Sequence, residues 1–284
     1  MNEQKSRLAV LVSTETFIKP FREQFSEDFK LSWWKIPYTS PPKRFIDYLI
    51  FPYKLIIKKV KTLMSLIRSE VIFVEFANET LTLASKWKGK RTLVTRLHRY
   101  ELFQLPKAKW KAVDAIIVVN KRMKELLEEK LPEMKEKIHC VSNYLDVDYW
   151  TIRENRIKTN QIAIVGSIEP RKGHDKAIVA FSKIVKKYPD LKLNIIGVNN
   201  DKEFSNTLIR LAEDLKLRDK IRFLGFSEDI KKDFQDSDII LSFSEHESTH
   251  LTLFEGLSCG AWPLSTTWDG VKEFLPDENL FSDD

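Results

Sequence analysis

A chain of 284 residues that is 43% hydrophobic and 31% charged has length for about two domains with separate cores, which excludes global disorder. Its 47 Lys and Arg against 41 Asp and Glu leave a net charge of +6, and apolar runs such as residues 8–12 are far too short to span a membrane. Cys140 and Cys259 lie far apart without metal-ligand spacing, and no secretory pattern opens the sequence, so the expectation is a cytoplasmic protein in a reducing compartment.

Short β-branched runs alternate with amphipathic stretches along the chain, the pattern of βα units around parallel sheets. Strands are expected over 8–13, 71–76, 92–97, 115–119 and 138–141, then over 162–165, 191–196, 221–224, 239–243 and 262–265. Helices fit 121–130, 175–187 and 201–216. The polar, charge-mixed stretch 151–160 separates two such runs, which predicts an N-terminal Rossmann-like domain over 1–150, a linker over 151–160 and a C-terminal Rossmann-like domain over 161–284. Two parallel sheets of this kind would face an interdomain cleft, with ligands at the carboxyl ends of the strands.

Charge is uneven across that boundary. Residues 1–150 hold 28 Lys and Arg against 18 Asp and Glu, an excess of 10 positive charges. Segment 43–68 is both the most hydrophobic and basic part of this half, and Pro52 divides it. After the proline, Ile56, Val60, Leu63 and Ile67 share one helical face, with Lys54, Lys58, Lys61 and Arg68 elsewhere. Two uses demand this periodicity: a helix covering the first sheet, or an interfacial helix on an anionic membrane. A solvated lysine-rich surface explains the remaining charge, and no nucleic acid is expected.

Chemistry-bearing residues concentrate in the second half. From Gln161 the chain reads as a strand, a tight turn at Gly166, and a polar loop ending in Arg171, Lys172 and Gly173 at a helix start. A cation beside unpaired helix-end amides suits a phosphate. The segment SEHESTHLTLFEGLSCG then supplies two carboxylates, Glu247 and Glu255, around a second helix start at His250 and Leu251. Such a pair can accept hydrogen bonds from sugar and ribose hydroxyls around a diphosphate.

The same segment spells the zinc-hydrolase string HExxH at 246–250. That chemistry needs both histidines on one helical face, whereas the preceding strand must first turn, with the helix expected to begin near Thr249. Asp146 and Asp148 are read as part of a turn rather than a metal pair, and Cys259 as a buried small residue rather than a nucleophile.

Taken in order, His98 after a strand, DAIIVVN, VSNYLD, VGSIEPRKG, IIG, FLGF, SDIILSFSEHE and FEGLSCG resemble a retaining glycosyltransferase of the GT-B fold, family 4, also described as glycosyl transferases group 1. The resemblance implies a hexosyltransferase-type enzyme that takes a sugar from a nucleoside diphosphate donor without a metal or other cofactor. It places Glu247 beside the donor sugar, Glu255 on the ribose, Lys172 on the phosphates, Phe226 near the base and His98 at the reaction centre. Gly166, Arg171, His250 and Leu251 complete the expected donor site, and a glycan or lipid-linked molecule is the implied acceptor.

The chain departs from the family at Ser167, where an arginine is usual, at the Ser13–Thr16 stretch, which lacks a glycine-rich turn, and at a C-terminal end that reads as cut short. Those departures keep open a degenerate member that binds a nucleotide sugar or a partner enzyme without turnover. At Ser167, Arg171 is the nearest replacement charge, and a protonated His250 beside the diphosphate is a second. The latter would make donor affinity fall from about pH 6 to 8. Location follows the function: cytoplasmic, with the inner membrane face reached through 43–68.

Overall fold

The computed structural model describes residues 5–37 and 45–282. The chain divides after Tyr144 into two compact units, each an α/β domain with one six-stranded parallel sheet.

In the first unit the order is β1 (Arg7–Val12), α1 (Arg22–Asp28), β2 (Lys30–Lys35), α2 (Phe45–Ile67), β3 (Val71–Glu75), α3 (Glu79–Trp87), β4 (Thr92–Arg96), α4 (Arg99–Phe103), β5 (Ala115–Val118), α5 (Lys121–Lys130) and β6 (Ile138–Cys140). The sheet runs β2-β1-β3-β4-β5-β6. Parallel strands covered on both faces read as continuous apolar runs, and RLAVLV shows why. Ala9 and Leu11 join one core cluster with Ile72, Val74 and Leu81, while Leu8, Val10 and Val12 join Ile18 and Phe73 on the other face. β2 escaped the sequence reading because KLSWWK is charged at both ends and only half-buried, as an edge strand paired with β1 alone can be.

α2 packs on β1, β2 and α3, but through the face opposite the expected stripe. Its apolar stripe faces outward: Ile56 is 60% exposed, Val60 49%, Leu63 47% and Ile67 64%. The buried side is largely polar, with Lys58, Thr62 and Ser65 inside beside Leu66. Lys58 Nζ donates to Glu79 Oε2 of α3 at 3.2 Å, and the Ser65 and Ser69 hydroxyls donate to the Thr62 and Ser65 carbonyls at 2.7 and 2.6 Å. Those bonds satisfy Lys58 and the two serine hydroxyls, which burial would otherwise penalise, while the buried Thr62 hydroxyl has no partner among the described residues. One helix also runs through Pro52, so the proline does not divide the segment; residues 43 and 44 of the expected segment lie outside the described residues.

The second unit follows the same logic with β7 (Gln161–Val165), α6 (His174–Ile184), β8 (Lys192–Ile196), α7 (Lys202–Asp214), β9 (Ile221–Gly225), α8 (Ile230–Gln235), β10 (Ile239–Ser242), α9 (Leu251–Ser258), β11 (Trp262–Thr266) and β12 (Leu280–Phe281). Its sheet runs β12-β11-β10-β7-β8-β9, so the chain reverses its direction of travel between β7 and β10. The stretch expected as a linker is held on this unit. Trp150 packs edge-on against Phe234 at 5.5 Å, Arg153 pairs with Asp236 at 2.8 Å, and Asp238 accepts from the Thr159 and Asn160 amides at 2.9 and 2.6 Å.

Candidate donor site

An open α/β sheet leaves a crevice where two neighbouring strands send their connections to opposite faces, and the loops after β7 and β10 flank such a point. Gly166 directly follows β7. At Gly197, which directly follows β8, a Cβ would lie 1.8 Å from the Gly166 carbonyl oxygen, so only glycine permits this approach of the two strand ends. The loop continues through a 3₁₀ turn, Pro170–Lys172, to Gly173 at φ 64°, where a Cβ would lie 2.4 Å from the Phe243 carbonyl oxygen. This close seat locks the β7 loop against the end of β10. α6 then begins at His174.

The seat brings three of the expected residues together. Lys172 Nζ donates to Glu247 Oε1 at 2.5 Å, and Arg171 approaches the same oxygen at 3.4 Å while pairing with Glu169 at 2.7 Å. The Lys172 stem also borders Gly166, 3.5 Å from where its Cβ would stand. Burial would raise the Glu247 pKa, but His250, Lys172 and Arg171 bring it down to about 2. His250 is itself neutral at pH 7, so the lysine and arginine charges keep the carboxylate ionised there.

His250 caps α9 from a left-handed backbone, φ 45° and ψ 61°, uncommon for a residue with a side chain. Its Nδ1 lies 3.0 Å from Ser242 Oγ, which also accepts from the Ser244 amide at 3.2 Å. Burial, with the Lys172 and Arg171 charges added, outweighs the attraction of Glu247 and pushes the imidazole pKa down to about 4. Without a diphosphate beside it, and buried against a serine hydroxyl, the ring is held neutral from pH 6 to 8. Leu251 is the first residue of α9, and Glu255 lies one turn further along. Burial alone lifts the Glu255 carboxyl to about 7.

Phe226 follows Gly225 at the end of β9, with 74% of its side chain exposed. His98 belongs to the first unit, buried after β4, with Nε2 2.9 Å from Glu75 Oε1. Its ring stacks on Phe76 at 4.3 Å and meets Phe17 at 4.8 Å. Glu75 also accepts from Arg96 Nη2 at 2.8 Å and Nε at 3.1 Å. Sequence reasoning missed both Glu75 and Arg96, although β3 and β4 pair them in register. An acid and a base ending two adjacent apolar strands were the available signal. Ser242 and Glu169 were missed too, and only the folded loops bring them to His250 and Arg171.

The rival strings meet their geometry here. Residues 246–249 are loop, His250 is left-handed and α9 begins at Leu251 rather than near Thr249, so the two histidines of HExxH do not share a helical turn. Asp146 accepts from the Tyr149 amide at 3.0 Å and from the Trp150 amide through its carbonyl at 3.0 Å, a turn. Cys259 is buried, and burial raises its thiol pKa, which keeps it unreactive.

Residues 151–281 match the model of the family described as Glycosyl transferases group 1. An uncharacterized glycosyltransferase of Methanocaldococcus jannaschii is 28% identical over 185 residues, 61% of this chain and 45% of that protein. The N-acetyl-alpha-D-glucosaminyl L-malate synthase of Bacillus anthracis is 34% identical over 98 residues, 34% of this chain and 25% of that protein. The chain thus matches less than half the length of these curated relatives. Among solved structures, Anabaena HepE with UDP and glucose superposes at a TM-score of 0.74 and 14% identity, covering 98% of this chain and 86% of that one. Sucrose-phosphate synthase of Thermosynechococcus elongatus does so at 0.75 and 11%, with the same coverage. Over residues 151–281, then, the chain matches a glycosyl transferases group 1 domain, and over nearly its whole length it has the fold of GT-B glycosyltransferases.

Proposed function

We propose that the chain is a retaining glycosyltransferase that moves a hexose-type sugar from a nucleoside diphosphate donor to a glycan or lipid-linked acceptor, working in the cytoplasm. The observation that carries this reading is the cluster of Lys172, Arg171 and Glu247 beside Gly166, at the point where the second sheet reverses its strand order. In the reaction the bond from the sugar to the diphosphate breaks, an acceptor oxygen takes the carbon on the same face, and the acceptor proton is lost. Negative charge grows on the departing phosphate. Lys172 and Arg171, assisted by the α9 amides at Leu251, are suited to stabilise it in place of a metal.

Glu247 is assigned to the donor sugar and Glu255 to ribose hydroxyls, with Phe226 bordering the base and His98 given a catalytic role. The HepE structures with UDP, UDP-glucose and glucose give the fold a nucleotide-sugar precedent. The test is release of nucleoside diphosphate from a donor with EDTA present, with the anomeric configuration of the product read by NMR. Metal-independent release with retention is expected. Donor binding without release would favour a degenerate binding subunit, and turnover lost to chelators would oppose the metal-free reading.

A further inference from the structure

The outward face of α2 has a breadth and a charge distribution that ordinary surface helices lack. Leu49, Tyr53, Ile56, Val60, Leu63 and Ile67 are all exposed, between 47% and 64%. At 100° per residue they fall within an arc of about 80°. Tyr48 at 63% and Ile46 at 50% extend the exposed apolar surface on either side. Contiguous apolar surface of this kind marks an interaction site. On the opposite, sheet-facing side Lys58 Nζ is bonded to Glu79 of α3, and Lys61 Nζ donates to the Lys35 carbonyl of β2 at 2.8 Å, so turning the helix inward would bury the stripe only by breaking both bonds.

We propose that α2 lies in the headgroup region of an anionic membrane, with the stripe between Leu49 and Ile67 in the acyl boundary. Two observations choose lipid over a protein partner. The stripe alone has the spacing of a coiled-coil seam, but with exposed Tyr48 and Ile46 the apolar arc widens to about 160°, beyond the seam by which two helices pack. Lys54 and Lys59 are exposed on the same helix, exposed Arg68 directly follows it, and Asp47 is the only acidic residue in it. A second copy of this basic face would meet it with like charge, whereas anionic headgroups would be attracted to long side chains that keep their charge at the interface. Among the described residues no helix is long and apolar enough to cross a membrane, so α2 would lie on the surface.

This inference rests on α2 and not on the transferase reading, and the two fail separately: donor binding is measured without vesicles, and vesicle binding without donor. The test is co-sedimentation of the full chain with vesicles of phosphatidylglycerol and phosphatidylcholine, and with phosphatidylcholine alone. Binding should favour the anionic vesicles and be released by 1 M salt, where the screening length is roughly 3 Å. Ile56→Asp with Leu63→Asp should lower the partition coefficient more than about tenfold. Because both residues are exposed in the free protein, the thermal transition should stay where it is. Lys54→Glu and Lys59→Glu, which leave the stripe intact, should each cost at least about fivefold. Failure of the wild type to sediment with anionic vesicles would overturn the proposal. So would Asp variants that bind like wild type, or a wild-type dimer that the same variants convert to monomer.

Discussion

Glu247 occupies the two cations that a diphosphate would need, Lys172 at 2.5 Å and Arg171 at 3.4 Å. A donor must therefore compete with an internal carboxylate that stays ionised down to about pH 2. Replacing that carboxylate with an amide removes the competitor while leaving the cations. Glu247→Gln should bind whichever of UDP, GDP or ADP the wild type binds roughly tenfold more tightly in calorimetry, about 1.4 kcal/mol, while transferring sugar more slowly. Unchanged or weaker binding of that nucleotide would mean that Lys172 and Arg171 do not receive the phosphates.

Glu255 gives the pH dependence its sign. Its carboxyl, lifted to about 7 by burial, is largely protonated at pH 6 and ionised at pH 8, and in the proposed role ribose hydroxyls would donate to the ionised form. Donor affinity should thus rise by about tenfold between those values, opposite to the slope expected from a charged His250. Glu255→Gln should flatten the rise and His250→Gly should leave it. In the absence of ligand the folded state keeps this proton above the unfolded value of 4.5, so the Glu255 contribution to stability falls as pH rises from there to about 7. The meeting of Lys172 and Glu247 was legible, because both stand in loops after two neighbouring strands of one sheet. The titration of His250 was not, since it depends on burial and on Ser242.

At the scale of elements, strands were easier to read than partners. β1, β3 and β7 announce themselves as apolar runs because both faces of a parallel sheet are covered, whereas β2 and β12 are short or half-exposed and carry little pattern. Periodicity also found the α2 stripe but could not say which way it faces, for a helix covering a sheet and one covering a membrane share the same spacing. Side-chain bonds on its inner face decide that. The ends of β3 and β4 hold a further element-level feature: Glu75, buried, joins Arg96 and His98. Glu75→Ala would leave the buried Arg96 guanidinium without its carboxyl partner and should cost about 3–5 kcal/mol in urea unfolding. A loss below about 1 kcal/mol would show that water replaces the carboxyl and that His98 does not depend on it for position.

For the whole molecule, two βα runs separated by a polar stretch were enough to predict two parallel-sheet units. The boundary is harder to read, because residues 151–160 look like linker by composition yet bond to the second unit through Arg153 and Thr159, and that unit begins earlier, at Leu145. The central claim is that the loops after β7 and β10 of that unit hold a nucleotide sugar. Thermal shift of the wild type and of Lys172→Ala against UDP-, GDP- and ADP-sugars, with EDTA present, tests it most directly. A ligand at 100 times its dissociation constant stabilises the folded state by about 2.7 kcal/mol, enough to move the transition visibly. At least one sugar nucleotide should raise the wild-type transition, and Lys172→Ala should lose most of that rise. No shift with any donor, or equal shifts in both proteins, would contradict the claim.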